Sequence, residues 1–213
     1  MDIGYIFDLD GVITDTAEYH YRAWKQLAEE EGFAFSRDDN EALRGVPRRR
    51  SLDILLKGKV FPEDKMQTMM QQKNDYYRAF LTEITPNDLL PGVANFLDEI
   101  KAAGIGLGLA SASKNAYDVC KRLGIYGLFD AFGDGNSVIN AKPAPDIFVW
   151  VAGRLDINPK QCIVFEDAAA GIDAALAGGF WTVGLGPNER IGHAHRVREN
   201  LVDAHIAEFD LPF

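Results

Sequence analysis

Ile6-Phe7-Asp8-Leu9-Asp10-Gly11-Val12 is the stretch on which the reading of this chain turns. An apolar run from Ile3 to Phe7 ends in two carboxylates and a glycine. That is the pattern of a strand buried on both faces of a parallel sheet, and such sheets bind ligands outside the carboxyl ends of their strands. In extended chain, side chains two residues apart point the same way. Asp8 and Asp10 can therefore converge on one metal or substrate while Leu9 turns into the core. Gly11 lets the backbone leave sharply. Taken alone, the same residues read equally well as an ordinary turn, in which aspartates and glycine shape the chain and cap the next helix. The rest of the chain weighs against that.

A length of 213 residues suits one sizeable core with an insertion, or two small domains, and 47% hydrophobic with 25% charged residues is the composition of a globular protein. A net charge of -10 argues against a surface that tracks nucleic-acid phosphates. An anionic substrate must then be gripped locally, by a few cations. The start Met1-Asp2-Ile3 has no basic leader region and no apolar run is long enough to span a membrane, so the chain is expected in the cytoplasm. Cys120 and Cys162 lack metal-type spacing and read as small buried thiols.

In Thr14-Asp15-Thr16-Ala17-Glu18, Asp15 and Glu18 are spaced as a capping box, opening a helix to about Glu31 whose apolar stripe is Tyr19, Ala23, Trp24 and Leu27. His20 falls off that stripe and reads as a solvated helix histidine. From Gly32 to about Pro86 the pattern is helical and charged without a strand signal, with segments near 38–44, 48–57 and 62–83. This predicts a helical cap over residues 15–86, inserted into a core made of 1–14 and 87–213. Within it, Pro47 suits the first turn of a helix, and Arg48-Arg49-Arg50 then crowd its positive end, which makes sense if an anion joins them. A solvated basic turn is the alternative. Lys73-Asn74-Asp75 reads as a wet helical face.

Beyond Pro91-Gly92, strand and helix alternate: a helix near 93–103, a strand from Ile105 to Ala110, then the donor-rich run Ser111-Ala112-Ser113-Lys114-Asn115 opening another helix. Serine and backbone N–H groups at a helix start can hold a phosphate. A short strand is expected at Ala131–Gly133. In Ala141-Lys142-Pro143-Ala144-Pro145-Asp146, two prolines stiffen the chain around one lysine ahead of a helix to about Leu155. A lysine on a loop is usually just solvated, but a fixed ammonium there could neutralise a transferring phosphoryl group. The apolar strand Cys162–Phe165 ends in Glu166-Asp167, a second acidic pair suited with the first to Mg²⁺. After a small-residue helix to Ala177, the strand Trp181–Leu185 closes the sheet. His193 and His195 are assigned to a surface loop, and the tail carries only apolar packing residues.

Four strand tips thus bear, in chain order, Asp-x-Asp, Ser, Lys and Glu-Asp. Together they resemble the haloacid dehalogenase superfamily of phosphotransferases. The likeness covers Ile3 to about Leu185 and includes a helical cap inserted after the first motif. It implies a Rossmann-like α/β fold, a parallel-sheet core with an inserted α-helical cap. Within the superfamily, Asp8 to His20, Leu43-Arg44-Gly45-Val46, Ala110 to Asn115, and Lys142 to Asp146 are similar to the β-phosphoglucomutases.

The resemblance implies that Asp8 is a nucleophile that becomes an aspartyl phosphate, with Asp10 as general acid and base and His20 holding Asp10. It implies Mg²⁺ on Asp8, the backbone carbonyl of Asp10, Glu166 and Asp167. Ser111, Ala112 and Lys142 would grip the transferring phosphate, and Arg48, Ser113, Lys114 and Asn115 the other one. Arg44, Gly45, Val46 and Lys73 match cap residues near the sugar, and Thr16 matches the hinge. The implied reaction converts β-D-glucose 1-phosphate to glucose 6-phosphate, with β-glucose 1,6-bisphosphate as intermediate and activator. A monomer acting on small sugar phosphates in maltose or trehalose breakdown is implied, without nucleic acid or membrane. Pro47 stands where a small polar residue is expected, and Arg49-Arg50 where an acidic pair is expected. A sugar-phosphate phosphatase is the alternative enzyme. A silent scaffold would be expected to lose one of Asp8, Asp10, Lys142 or Glu166-Asp167, and none is lost.

Overall fold

The computed structural model describes residues 3–43, 46–209 and 211. In chain order the elements are β1 (Gly4–Phe7), α1 (Ala17–Glu30), α2 (Arg37–Glu41), α3 (Arg48–Leu56), α4 (Glu63–Phe80), α5 (Val93–Ala102), β2 (Gly106–Ala110), α6 (Ala116–Arg122), β3 (Ala131–Gly133), α7 (Asp146–Leu155), β4 (Cys162–Glu166), α8 (Ala169–Ala177), β5 (Trp181–Leu185), α9 (Asn188–Ile191) and β6 (Arg196–Arg198). They form two compact units. Thr16–Ile84 is one, and the chain before and after it forms the other.

The first unit is a parallel α/β sheet in the order β3-β2-β1-β4-β5-β6. Every residue of β1, β2 and β4 is buried, as expected for strands covered on both faces. Alternation along β1 sorts the two sides. Tyr5 and Phe7 join an aromatic cluster with Phe96, Phe165 and Phe209, in which Phe7 stacks on Phe165 at 4.5 Å. Ile6 belongs instead to the apolar layer of Val164, Phe148, Val151 and Ala174. The central position of β1 and its register decide where the site lies. Phe7 pairs with both Leu109 and Phe165, so Asp8, Ala110 and Glu166 come next at one level, where the strand order switches direction.

The sheet does not close at β5. A sixth strand, Arg196–Arg198, pairs in parallel with it, and Phe209 of the tail packs into the aromatic cluster. The sequence Arg-Val-Arg is too short and too polar to signal a strand. At the base of the insertion, Thr14 Oγ1 donates to the Asp88 carbonyl at 2.7 Å, Leu90 N–H donates to the Ile13 carbonyl at 2.9 Å, and Thr14 bridges Leu89.

The second unit is helical, with a core of Trp24, Leu27, Leu43, Leu52, Leu55 and Met69. Helix α1 begins at Ala17 with Thr16 as its cap and no side-chain capping bond, so Asp15 does not close a capping box. Pro47 precedes α3, and the three arginines do occupy its first turn. No helix among the described residues is long and apolar enough to cross a membrane.

Candidate active site

Asp8 directly follows β1, 7% exposed, and its amide N–H donates to the Phe165 carbonyl. One carboxylate oxygen, Oδ2, accepts the Asp10 amide N–H at 3.0 Å, and the other lies 2.5 Å from Lys142 Nζ. Lys142 Nζ also donates to Glu166 Oε1 at 2.8 Å and to the Ala110 carbonyl at 3.2 Å, and sits 4.7 Å over the Phe148 ring. The lysine of the proline-stiffened loop is therefore a buried ammonium fixed at the tips of three strands. Glu166 and Asp167 are buried at the end of β4, and Glu166 Oε2 takes the Ala168 amide N–H at 2.8 Å ahead of α8.

Asp8, Glu166 and Asp167 each bring a ligand oxygen within 4.8 Å of the others. Against these three buried carboxylates stand the buried Lys142 and, at 3.5 Å from Asp167, the partly exposed Arg190, so negative charge is still in excess. Burial pushes the Asp8 pKa well above its ordinary value, with Glu166 and Asp10 adding to the rise against the pull of Lys142. Burial by itself would lower the Lys142 pKa, but Asp8 and Glu166 outweigh it and hold the ammonium more firmly than usual. An all-oxygen set with surplus negative charge fits a hard divalent cation such as Mg²⁺.

Two glycines make this packing possible. A Cβ on Gly11, where φ is +84°, would fall 2.3 Å from Asp167 Oδ2, and one on Gly171 would fall 1.8 Å from Glu166 Oε1. The sequence alone gives Gly11 the role of a turn residue and Gly171 none. The signal at Gly171 is a glycine inside a helix five residues after an acid at a strand end.

Ser111 is buried, and its N–H donates to the Gly133 carbonyl. The loop after β2 does not open a helix at once, because α6 begins only at Ala116. Instead Ser111 Oγ accepts the Ser113 N–H at 3.1 Å, and Ser113 Oγ accepts the Asn115 N–H at 3.2 Å. Two of the amides expected to face an anion are thus satisfied by serines. Ala112 and Lys114 are exposed, Ser113 is half-buried and Asn115 is buried.

In the second unit, His20 is no solvated histidine and Lys73 no wet face. Lys73 is 2% exposed, and its Nζ lies 2.6 Å from His20 Nδ1, beneath the rings of Trp24 and Tyr77. His20 stacks on Tyr77 with centroids 4.1 Å apart. Because an ammonium only donates, Nδ1 accepts and the ring hydrogen sits on Nε2. Burial, with Lys73 and Arg48 nearby, holds the His20 pKa well below its ordinary value. The helical period misplaces both residues, since a stripe drawn from apolar side chains alone leaves them outside it. Arg48 Nη2 donates to Asn74 Oδ1 at 2.8 Å, whereas Arg49 pairs on the surface with Glu63 and Asp53. The Val46 carbonyl accepts from Ser51 Oγ, and Thr16 is buried. Arg44 and Gly45 lie outside the described residues.

Residues 4–179 match the model of the haloacid dehalogenase-like hydrolases. The chain is 44% identical to the β-phosphoglucomutase of Bacillus subtilis over 188 residues, covering 86% of this chain and 83% of that protein. It is 31% identical to a phosphorylated carbohydrates phosphatase of Thermotoga maritima over 82% of this chain and 80% of that one. A crystal structure of β-phosphoglucomutase from Clostridium difficile superposes with a TM-score of 0.92 at 42% identity, covering 98% of this chain and 95% of that one. With its acid-bearing strand tips, parallel sheet and a match over most of its length, the chain belongs to the haloacid dehalogenase-like hydrolase family.

Proposed function

We propose that this protein is a β-phosphoglucomutase, interconverting β-D-glucose 1-phosphate and glucose 6-phosphate. The observation that carries the phosphoryl-transfer reading is the Asp8 carboxylate held between Lys142 and the Glu166-Asp167 pair. The 44% identity to the Bacillus subtilis enzyme favours a mutase among the activities of the family.

Asp8 is the nucleophile in this proposal. The cycle starts from phosphorylated Asp8: Asp10 takes the proton of the monophosphate's free sugar hydroxyl, whose oxygen bonds to phosphorus as the bond from phosphorus to Asp8 breaks, giving the 1,6-bisphosphate. The bisphosphate turns round, and in the second transfer an Asp8 oxygen bonds to its other phosphorus as the bond from that phosphorus to the sugar oxygen breaks. Asp10 returns the proton to that oxygen, so that the isomeric monophosphate leaves and the aspartyl phosphate is restored. The bisphosphate also primes free enzyme by this second transfer. Lys142 stays beside Asp8 throughout and offsets charge on the phosphoryl oxygens. Ser111, Ala112, Ser113, Lys114 and Asn115 are proposed phosphate contacts. Asp8, Glu166 and Asp167, with the backbone carbonyl of Asp10, would hold Mg²⁺, which when bound neutralises negative charge on the phosphoryl group.

Thr16–Ile84 is proposed as the cap, with Arg44, Gly45, Val46, Arg48 and Lys73 recognising the sugar and the phosphate that is not transferred. Thr16 is the proposed hinge. His20, with its hydrogen on Nε2, is suited to donate to a carboxylate and is proposed to hold Asp10. A cytoplasmic monomer belongs to the same proposal, and the free, buried Cys120 and Cys162 suit a reducing setting.

The Thermotoga maritima relative favours one second reading, a sugar-phosphate phosphatase. One assay separates the two. With Mg²⁺, β-glucose 1-phosphate and a trace of the bisphosphate, glucose 6-phosphate and inorganic phosphate are measured side by side. Glucose 6-phosphate as the main product is expected. Mainly free phosphate would overturn the mutase in favour of the phosphatase.

A further inference from the structure

Arg190 has no part in the site as assigned so far, yet it sits against one of its acids. It lies in the short helix α9, and its Nη2 is 3.5 Å from Asp167 Oδ2. That is longer than the ~2.7–2.9 Å of a charge-assisted hydrogen bond, and among the described residues Arg190 Nε is buried without a hydrogen-bond partner. The guanidinium therefore faces the carboxylate at one point and does not grip it with its fork. Glycine clears both ends of the pair. A Cβ on Gly186, where φ is +123°, would fall 2.6 Å from Arg190 Nη2, just as one on Gly11 would strike Asp167 Oδ2.

A fixed cation beside a ligand of a divalent ion opposes that ion's binding. It also relieves the acid when the ion is absent, where Lys142 is committed to Asp8 and Glu166. We propose that Arg190 is a positioning residue acting through Asp167 as a counter-charge: it steadies the empty carboxylate and lowers the affinity of the divalent ion, which keeps that ion exchangeable. The proposal rests on reading Asp8, Glu166 and Asp167 as a divalent-cation site. The loose, single-point contact is what such a role needs, since a bidentate clamp would compete with the ion for both oxygens.

The test titrates Mg²⁺ by calorimetry into the wild-type protein and into Arg190→Met, Arg190→Gln and Arg190→Lys, at low and at high ionic strength. Both neutral variants should bind Mg²⁺ about 3- to 10-fold more tightly, the difference shrinking in salt because the guanidinium is partly exposed. Arg190→Lys, which keeps the charge, should bind close to wild type. A merely structural role would move the melting temperature without this dependence on charge and salt. Equal or weaker Mg²⁺ binding by the neutral variants would overturn the proposal, as would failure of both to fold while Arg190→Lys folds. A wild-type protein that takes up no Mg²⁺ would be a different failure, removing the cation site and this proposal with it.

Discussion

Gly171 lies so close to Glu166 that a Cβ on it would fall 1.8 Å from Oε1 and 2.1 Å from Cδ. Alanine is ordinarily better than glycine in a helix interior, by about 1 kcal/mol, so the absence of a side chain here serves the carboxylate and not α8. Gly171→Ala should push Glu166 off Lys142 and weaken Mg²⁺ binding by about 10- to 100-fold, the usual worth of a group that orients a metal ligand. The melting temperature should change little, because propensity gained in the helix offsets the displaced acid. Calorimetric titration beside a melting curve checks this, and unchanged Mg²⁺ affinity would show that Glu166 does not bind the ion.

Asp8→Asn should abolish the covalent phosphoenzyme and leave the fold intact. The carboxamide is nearly isosteric but a poor nucleophile. Lys142 keeps Glu166 as its partner, and the substitution removes one negative charge where burial already disfavours it. Acid-quenched labelling with a phosphoryl donor reads the outcome; label on the substituted protein would take the nucleophile elsewhere.

Substituting Arg48 would tell the two proposed phosphate sites apart. If it binds only the phosphate that is not transferred, losing a charge-assisted hydrogen bond of about 1.5–3 kcal/mol should lower mutase efficiency of Arg48→Ala roughly 10- to 150-fold. Phosphorylation by acetyl phosphate, which has no second phosphate, should fall far less. Arg49 is engaged by Glu63 and Asp53 and so should not rescue the variant. Equal losses with both donors would place Arg48 with the transferring phosphate or in support of its own helix.

His20 should make stability depend on pH. Burial first, then Lys73 and Arg48, depress its folded pKa, so below about 6.5 the unfolded chain takes up a proton that the folded chain refuses. Stability is therefore full above that value and falls as the pH drops towards the folded pKa, by up to about 1.4 kcal/mol per pH unit. His20→Gln keeps an acceptor for Lys73 and should remove that slope. Denaturant unfolding of both proteins from pH 7.5 to 5 checks it, and parallel curves would mean that His20 titrates normally.

Much of the fold is legible in the sequence because hydrophobic burial writes itself into the chain at short range. The fully buried strands β1, β2 and β4 are continuous apolar runs, and the groups at their ends, Asp8, Ser111 and Glu166, inherit their positions from the register. The features that escape depend on contacts distant in sequence. Lys73 looks like a surface residue until the rings of Trp24 and Tyr77 are known to cover it. β6 exists because β5 offers it an edge, not because Arg-Val-Arg favours a strand. Gly171 and Arg190 gain meaning only from the carboxylates they meet. In the serine run after β2, the sequence does not reveal that the hydroxyls of Ser111 and Ser113 accept the loop's own amides.

The bonds of Thr14 and Ile13 to Asp88 and Leu90 tie off the insertion where it leaves the sheet. A loop whose ends are already sewn together is cheap to lengthen, each doubling costing only about 0.6 kcal/mol in closure entropy. The α/β unit is thus nearly indifferent to what is threaded between those residues. That makes Thr16–Ile84 an interchangeable cartridge: evolution could replace it while Asp8, Lys142 and Glu166 at the strand tips stayed as they were.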